Sequence, residues 1–291
     1  MGAHNKPIIA AFDYHDMVWY GKKNRRELVG IGNHRGTTLG HRYATIESVE
    51  EFQRYTFGML PVTQTTAKTD VITSLVLQAR LWNQIALLLL DRAFFNVPCI
   101  NRLNALTVPF LMPAVRNSKI EGMIPIAIRL AKQLPNSPNS YYVTEYTMKE
   151  GHSKKTATFN LVFYFTPSKN IEEPDECFIF ATNVEITDDN VSWFAGIYRK
   201  RWGIETGYRV KEEVRGKTCS TSYSVRLLLQ IISILLYNIW TLFNYIYRDK
   251  AKKLKKGWLY PLTIPKLRSV ISDTIYVLLE ELCYPSTGPP I

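Results

Sequence analysis

Residues 198–213, YRKRWGIETGYRVKEE, place a carboxylate inside a strongly cationic segment. At about 100° per residue, a continuous helix would put Tyr198, Arg201 and Glu205 on one face, with Arg209 a turn further on. A carboxylate beside cations can hold a divalent metal ion next to a phosphate group. A surface salt bridge from Glu205 to either arginine would give the same pattern, so other residues must decide between the two interpretations.

Two aspartates follow apolar, strand-like runs. Asp13 ends the run IIAAFD, and Asp91 follows the run IALLLL. Strand ends hold side chains rigidly at the edge of a sheet, where α/β proteins form their sites, although a lone aspartate there is more often a turn or cap residue. Asp16 is the alternative to Asp13 as the first acid of the site. Alternation along a strand puts Asp13 and His15 on one face and Asp16 on the other, and we favour Asp13 because it directly ends the apolar run.

The elements that position these acids alternate between strands and helices. Strands are predicted at 8–13, twice within 28–48, at 85–90 and at 108–114, and helices at 70–82, 98–106, 225–247 and 267–283. We expect residues 225–247 to form a buried helix. Thr187 is the predicted N-cap of the helical region that holds the cationic segment.

Between these α/β parts, a Pro, Asn and Ser cluster at 135–140 is followed by alternating β-prone runs, which predict an all-β insertion. The predicted organisation has four parts: a first part of the catalytic core (1–134), a β-strand insertion (135–186), a C-terminal helical part of the core (187–247) and a basic C-terminal tail or helix (248–291).

These residues together resemble the DDE transposases of bacterial and archaeal insertion sequences that bear the signature Y-x2-R-x3-E-x6-K, a ribonuclease-H-like family. The matching residues are Tyr198, Arg201 and Glu205 at the family spacing, with Asp91 in LLLLDRAFF and Asp13 in IAAFD. The resemblance extends over roughly residues 8–246. It implies an α/β fold: a ribonuclease-H-like mixed sheet with flanking helices and a β-rich insertion before the last acid.

The resemblance also implies a function. Asp13, Asp91 and Glu205 would be the catalytic acids and would hold two Mg²⁺ or Mn²⁺ ions. Tyr198 and Arg201 would contact DNA phosphate. Water would nick the element end, and the freed 3′-hydroxyl would attack the opposite strand or the target. The partners would be the double-stranded DNA of the transposon ends and of the target. The active complex would contain a homodimer, and the protein would be cytoplasmic and associated with the nucleoid.

One position departs from the signature. Six residues after Glu205 the family has lysine, but position 212 is Glu and the lysine is Lys211. A shift of one residue turns a helical side chain by about 100°, away from the Glu205 face. Either Lys211 or Arg209 is therefore the candidate for this phosphate contact.

Composition agrees with a polyanionic partner. The 291 residues carry a formal net charge of +11, with a sequence pI near 9.4, which favours nucleic acid first and an anionic membrane surface second. The basic run RDKAKKLKKGW is interpreted either as a solvated helix end or linker, or as a salt-sensitive contact to the DNA backbone. The four cysteines contain no CxxC pair, so a zinc site or a disulfide framework is not expected.

Three other functions remain open. The first is a catalytically inert or truncated DNA-binding remnant, since the first strand begins as early as Ile8. The second is a plain metal-dependent nuclease. The third is a single-span membrane-associated protein, because residues 227–246 are apolar over a length that can cross a bilayer. Gln230, Asn238 and Asn244 interrupt that run and favour the soluble interpretation, and residues 1–16 lack the pattern of a secretory signal.

Overall fold

The computed structural model describes residues 6–23, 25–34, 36–131, 140–151, 153–166, 176–254 and 257–283. The chain divides into two compact units. The sheet unit comprises Met1–Glu50 and Thr56–Ile204, and the helical unit comprises Glu51–Tyr55 and Glu205–Ile291. The division into four parts that the sequence suggested is a different division of the chain, and it stays a prediction.

The sheet unit contains nine strands and four helices among its described residues. The strands are β1 (Ile8–Val18), β2 (Val29–His34), β3 (Thr37–Ser48), β4 (Thr56–Val62), β5 (Ile85–Leu89), β6 (Phe110–Pro113), β7 (Ser140–Lys149), β8 (Thr156–Thr166) and β9 (Glu176–Thr182). The helices are α1 (Lys68–Arg80), α2 (Val97–Ala105), α3 (Ser118–Ala131) and α4 (Val191–Tyr198).

These strands form one mixed sheet with the order β2-β3-β1-β5-β6-β9-β8-β7, and β4 pairs with β3. The pairs β1–β5 and β5–β6 are parallel, and the other pairs are antiparallel. The expected α/β fold, a mixed sheet with flanking helices, is confirmed. The β-prone runs after residue 139 form β7 to β9 and extend this same sheet through the β6–β9 pair, while residues 135–139 lie outside the described part.

The core lies where α1 and α2 pack against the centre of the sheet. Helix α1 buries Val71, Ile72, Leu75, Val76 and Ala79, a set with helical spacing. Alternate residues of the central strands, including Phe12 and Leu88, belong to the same hydrophobic core. The residues between them, whose side chains lie on the opposite face of the sheet, are also buried, as Ala11 and Leu89 are. A central strand covered on both faces explains why IALLLL has no polar alternation.

The cationic segment is not one continuous helix, which corrects the expectation from sequence. Helix α4 ends at Tyr198, a 3₁₀ turn spans Arg199–Trp202, and α5 (Gly203–Val214) follows. The N-cap of α4 is Asn190 instead of the predicted Thr187. The boundary between the two units falls just inside α5, after Ile204. The segment therefore passes from one unit into the other.

The helical unit is built from α5, α6 (Tyr223–Ile246) and α7 (Ile264–Cys283), with a short antiparallel hairpin of β10 (Lys252–Leu254) and β11 (Gly257–Leu259). The basic run thus forms a 3₁₀ turn at Arg248–Lys250 and the first hairpin strand, where a helix end or linker was considered. Lys252 and Lys253 are exposed, while Lys255 and Lys256 lie outside the described residues.

Helix α6 is apolar but mostly not buried, which corrects the expectation of a buried helix. Its buried residues are Gln230, Ser233, Tyr237, Thr241 and Asn244, three or four positions apart, so they form one stripe. Its leucines and isoleucines lie largely on the outside, as Leu235 does with 56% exposure. Of the described helices, α6 alone is long and apolar enough to cross a membrane, a test that core helices also pass.

Candidate active site

The register of the sheet sets the two aspartates side by side. Strands β1 and β5 run parallel, with Ala11 opposite Leu89. The same offset carried two residues further puts Asp13, in the middle of β1, opposite Asp91, just beyond the carboxyl end of β5. Crevices at this edge are where α/β sheets bind ligands. The two acids lie on or directly after adjacent strands, as expected. The prediction that the first strand ends at Asp13 is wrong, because pairing with β3 continues β1 to Val18.

Both carboxylates are oriented in the same way by the backbone that follows them. The Tyr14 N–H donates to Asp13 Oδ1 at 2.8 Å, and the Arg92 N–H donates to Asp91 Oδ1 at 2.6 Å. Asp91 thereby caps a 3₁₀ turn at Arg92–Phe94. A charge-assisted bond of this kind fixes the rotamer of each acid.

Asp16 is engaged elsewhere. The Arg42 guanidinium donates to both of its oxygens, from Nε at 2.6 Å and from Nη2 at 2.7 Å. Arg42 also lies over the Tyr14 ring, 5.2 Å from its centroid. A bidentate pair of this geometry holds the carboxylate firmly. Asp16 is thus part of a separate ion pair, on the strand face opposite to Asp13.

Arg201 and Tyr198 complete the site within the sheet unit. Arg201 Nη1 donates to Asp13 Oδ2 at 3.3 Å, and its guanidinium lies 5.8 Å from the centre of the Tyr198 ring. The Tyr198 hydroxyl donates a long hydrogen bond of 3.4 Å to the Leu90 carbonyl, next to Asp91. A 3₁₀ turn has three residues per turn, so residues three apart eclipse and stay in contact although the helix is interrupted.

The electrostatics of these groups are coupled. Burial raises the pKa of the Tyr198 phenol, Arg201 opposes this, and Asp91 adds to it. Burial acts to lower the pKa of Arg201, but Tyr198, Asp13 and Asp91 raise it above its usual value. Arg201 therefore stays charged between the two acids. Its buried Nε–H has no hydrogen-bond acceptor among the described residues, so this side chain retains donor capacity for an anion.

The other predicted site residues belong to the helical unit. Glu205 lies on α5, and its side chain is outside the described part of the chain. Arg209 is exposed. Lys211 is 1% exposed, with its ammonium 4.8 Å from the Tyr208 ring centroid and 4.7 Å from the Tyr237 centroid. Arg209 and Lys211 thus lie on one helix, the first exposed to solvent and the second buried.

The described side chains contain no group of three or more His, Cys, Asp and Glu residues arranged to bind a metal ion. Asp13, within β1, and Asp91, directly after β5, offer carboxylate oxygens from neighbouring rigid elements. Carboxylate oxygens are the type of ligand that Mg²⁺ uses. Such a pair suits phosphoryl chemistry when substrate oxygens or a further acid complete the shell.

Sequence reasoning missed two features near these acids. Arg92, directly after Asp91, lowers the pKa of Tyr198 through its charge, after the larger effects of burial, Arg201 and Asp91. Thr45 is the cross-strand partner of Asp13, and its hydroxyl donates to the buried Glu47 carboxylate at 3.1 Å. A cation next to a candidate acid was a visible signal for Arg92. The burial of Glu47 depends on strand pairing, which composition does not show.

Comparison with known proteins agrees with this geometry. Residues 50–239, which are 190 of the 291 residues, match a family model described as Transposase DDE domain. The chain belongs to this family. The matched range includes Asp91, Tyr198, Arg201 and Glu205, whereas Asp13 precedes it. A search of curated proteins finds no match. Family membership makes the chain a transposase or nuclease type of enzyme that acts on DNA.

Proposed function

We propose that this chain is a DNA transposase of an insertion sequence with the Y-R-E-K signature, cutting and joining DNA with two Mg²⁺ or Mn²⁺ ions. The catalytic acids are Asp13, Asp91 and Glu205. The observation that carries the proposal is the side-by-side placement of Asp13 within β1 and of Asp91 just after the adjacent parallel strand β5, with the charged Arg201 beside Asp13.

The residues of the site fit a divalent metal. Asp13 and Asp91 each keep one oxygen on a backbone N–H, which aligns the carboxylate without neutralising it. Asp13 is 19% exposed at its side chain, and its 3.3 Å contact with Arg201 is longer than the usual charge-assisted bond, so solvent and a cation can reach it. Bound there with Glu205, two metal ions would activate the attacking oxygen and stabilise the leaving oxygen.

Arg201 and Tyr198 act on the DNA phosphate. The free donor capacity of the buried Arg201 Nε–H and the permanent charge of its guanidinium suit a phosphate oxygen next to the scissile bond. Burial raises the pKa of the Tyr198 phenol further above neutral pH, so it carries its proton, and its one O–H would turn from the long 3.4 Å bond with the Leu90 carbonyl to a phosphate oxygen. Both groups are held in place before DNA binds, which lowers the reorganisation needed in the transition state.

Arg209 is the exposed cation of α5, so its side chain can contact a further DNA phosphate without a change of its surroundings. Lys211 would have to leave the two aromatic rings that surround its ammonium. The net charge of +11 supports binding to the backbone of both the element ends and the target. We propose that the protein acts as a homodimer in the active complex, at the nucleoid in the cytoplasm.

The proposal is tested on a duplex that contains the terminal inverted repeats flanking the coding sequence in its genome. Asp91→Ala should reduce Mg²⁺-dependent nicking by about 100-fold or more, because metal-assisted charge stabilisation contributes several kcal/mol. Binding to the same duplex, measured by gel shift in a chelator, should change little.

Asp16→Ala is the matched control, since this acid lies on the same strand and pairs with Arg42 instead. It should retain nicking. Undiminished nicking in Asp91→Ala would refute the assignment. A wild-type chain that binds but never nicks would be an inert remnant, and one that nicks without ever producing joined strands would be a nuclease.

A further inference from the structure

The outer face of α6 carries an exposed heptad repeat. In a heptad, written abcdefg, apolar residues recur at positions a and d, alternately three and four residues apart. The d positions of α6 are Leu228, Leu235 and Leu242, and the a positions are Val225, Ile232, Ile239 and Ile246. Each of these side chains is between 38% and 57% exposed. A contiguous apolar stripe of this length on the surface marks an interaction site.

The helical unit packs against the other side of α6. The buried residues Gln230, Tyr237 and Asn244 are f positions, and Ser233 and Thr241 are b and c positions. At about 100° per residue, positions b, c and f point away from a and d. Packing within the unit therefore gives no reason for isoleucine at a and leucine at d.

The residue types at a and d specify the geometry of a partner helix. β-Branched residues at a with leucine at d favour a parallel coiled coil of two strands, whereas leucine at a with isoleucine at d shifts the preference to larger bundles. In α6 every a position is valine or isoleucine, and every d position is leucine. The helix has 24 residues, which is more than three heptads and about 36 Å of length. A second copy of α6 supplies a partner helix with the same repeat and length.

Charge also favours a second copy of this chain over other partners. The net charge of +11 makes two copies repel each other over most of their surfaces. Between Tyr223 and Ile246 the sole charged residue is Arg226, at a b position away from a and d. Two copies can therefore meet here without like-charge repulsion. DNA and an anionic membrane surface would instead be attracted by cations, of which this helix has only Arg226.

We propose that two copies of the chain pair through α6 as a parallel, in-register coiled coil, in which each a and d residue packs against its counterpart in the second copy. The proposal rests on the homodimer of the proposed function, and it assigns a surface and a direction of pairing to that homodimer. Such a contact is isologous, with its two-fold axis parallel to the two helices. The starts of both α6 helices, which residues 215–222 join to α5, lie at the same end of the pair. Two-fold symmetry of this kind suits a substrate with two inverted DNA ends.

The test uses Leu228, near the start of α6. In a parallel pair this residue faces Leu228 of the second copy, whereas in an antiparallel pair it faces the far end of the helix. Sedimentation equilibrium of the full chain, in a chelator and without DNA, should show that the wild type dimerises reversibly. Leu228→Glu and Leu228→Lys should each weaken dimerisation by about 100-fold or more, because like charges then face each other. An equal mixture of the two variants should dimerise again, because opposite charges face each other in the mixed pair.

Leu254→Glu and Leu254→Lys are the matched controls. Leu254 lies on β10 in the same unit and is 56% exposed, against 55% for Leu228. Both control variants should keep the dissociation constant of the wild type. Because Leu228 is exposed in the monomer, its variants should also keep the wild-type urea midpoint at concentrations at which the chain is monomeric. Loss of the dimer is thereby separated from loss of the fold.

A wild type that stays monomeric at every concentration, or that forms a tetramer, would overturn the inference. So would a dimer that persists in both Leu228 variants, or a mixture of these variants that stays monomeric. Binding to vesicles of phosphatidylethanolamine and phosphatidylglycerol that Leu228→Glu abolishes, without a dimer in their absence, would indicate a membrane surface and would also overturn it. A wild type that dimerises through α6 but never nicks counts only against the proposed function. Nicking by a chain that dimerises through another surface counts only against this inference.

Discussion

Strand β5 and helix α6 are both built from apolar runs, yet they bury opposite kinds of side chain. In β5, Leu87, Leu88 and Leu89 are at most 2% exposed. In α6, the buried stripe is largely polar and includes Gln230 and Asn244, while the aliphatic side chains face outward. Hydrophobicity alone therefore identified the inner residues of the strand and misidentified those of the helix.

The difference follows from what each element must satisfy. A central strand has its backbone groups paired by its neighbours, so apolar side chains on both faces are sufficient for burial. The inner face of α6 has to bond irregular backbone, as Asn244 does for Leu262. Polar residues at intervals of three and four within an apolar run therefore mark the inner face of such a helix.

The largest effect should come from truncating the buried leucine of the strand. Leu88→Ala should lower the free energy of unfolding by about 2–5 kcal/mol, because it removes packed methyl groups and leaves a cavity. Leu235→Ala, on the outer face of α6, should change it by no more than about 0.5 kcal/mol. Urea denaturation of both variants, at a protein concentration at which the chain is monomeric, measures the contrast. A loss of more than about 2 kcal/mol in Leu235→Ala would mean that the outer face is covered in solution.

A second comparison is between two residues of the polar stripe of α6, Asn244 and Gln230. Asn244→Leu should destabilise the protein by about 1–3 kcal/mol, since the Leu262 N–H loses the side-chain acceptor that it bonds, while the Leu262 carbonyl keeps the Trp240 Nε1 donor. Gln230→Leu should be neutral or stabilising, because both amide atoms of Gln230 are buried and have no partner among the described residues. Thermal unfolding of the pair is the measurement. Equal losses would show that Gln230 is satisfied in solution.

Much of the sheet unit was predictable because its signals are local. The strands that lead into the two acids, helix α1 and the final β-prone runs follow from periodicity and from turn residues, although β1 continues past Asp13 to Val18. Helix α3 gave no usable signal, because Gly122 and Pro125 interrupt it. It forms because Asn117 caps its start by accepting from the Ile120 N–H at 2.9 Å, and because Ile120 and Ala127 are buried. Tertiary packing overrides propensity here.

The candidate site was predictable for the two acids, whose placement depends on neighbouring apolar strands. Asp13 and Asp91 could be paired from the chain alone, but the 3₁₀ turn that joins Tyr198 to Arg201 could not, because YRKRWGIE has no proline and reads as a continuous helix. The burial of Lys211 between two tyrosines was also beyond reach, since Tyr237 comes from α6, 26 residues further on. Sequence spacing predicts contacts within an element better than contacts between elements.

The smallest effect at neutral pH should come from Tyr14, which stacks on Phe94 with ring centroids 5.5 Å apart. Burial raises its pKa to about 12, with Cys99 and Asp13 adding to the shift and Arg42 opposing it. A pKa that is higher in the folded state gives stability that is complete below about pH 10 and is lost as the pH rises toward 12. Tyr14→Phe should therefore flatten the alkaline loss of stability between these values. Tyr20→Phe is the control, because that ring is 66% exposed and should leave the profile unchanged. Urea midpoints measured from pH 8 to 12 test this. Identical alkaline profiles for the wild type and Tyr14→Phe would show that Tyr14 does not contribute to the alkaline loss of stability.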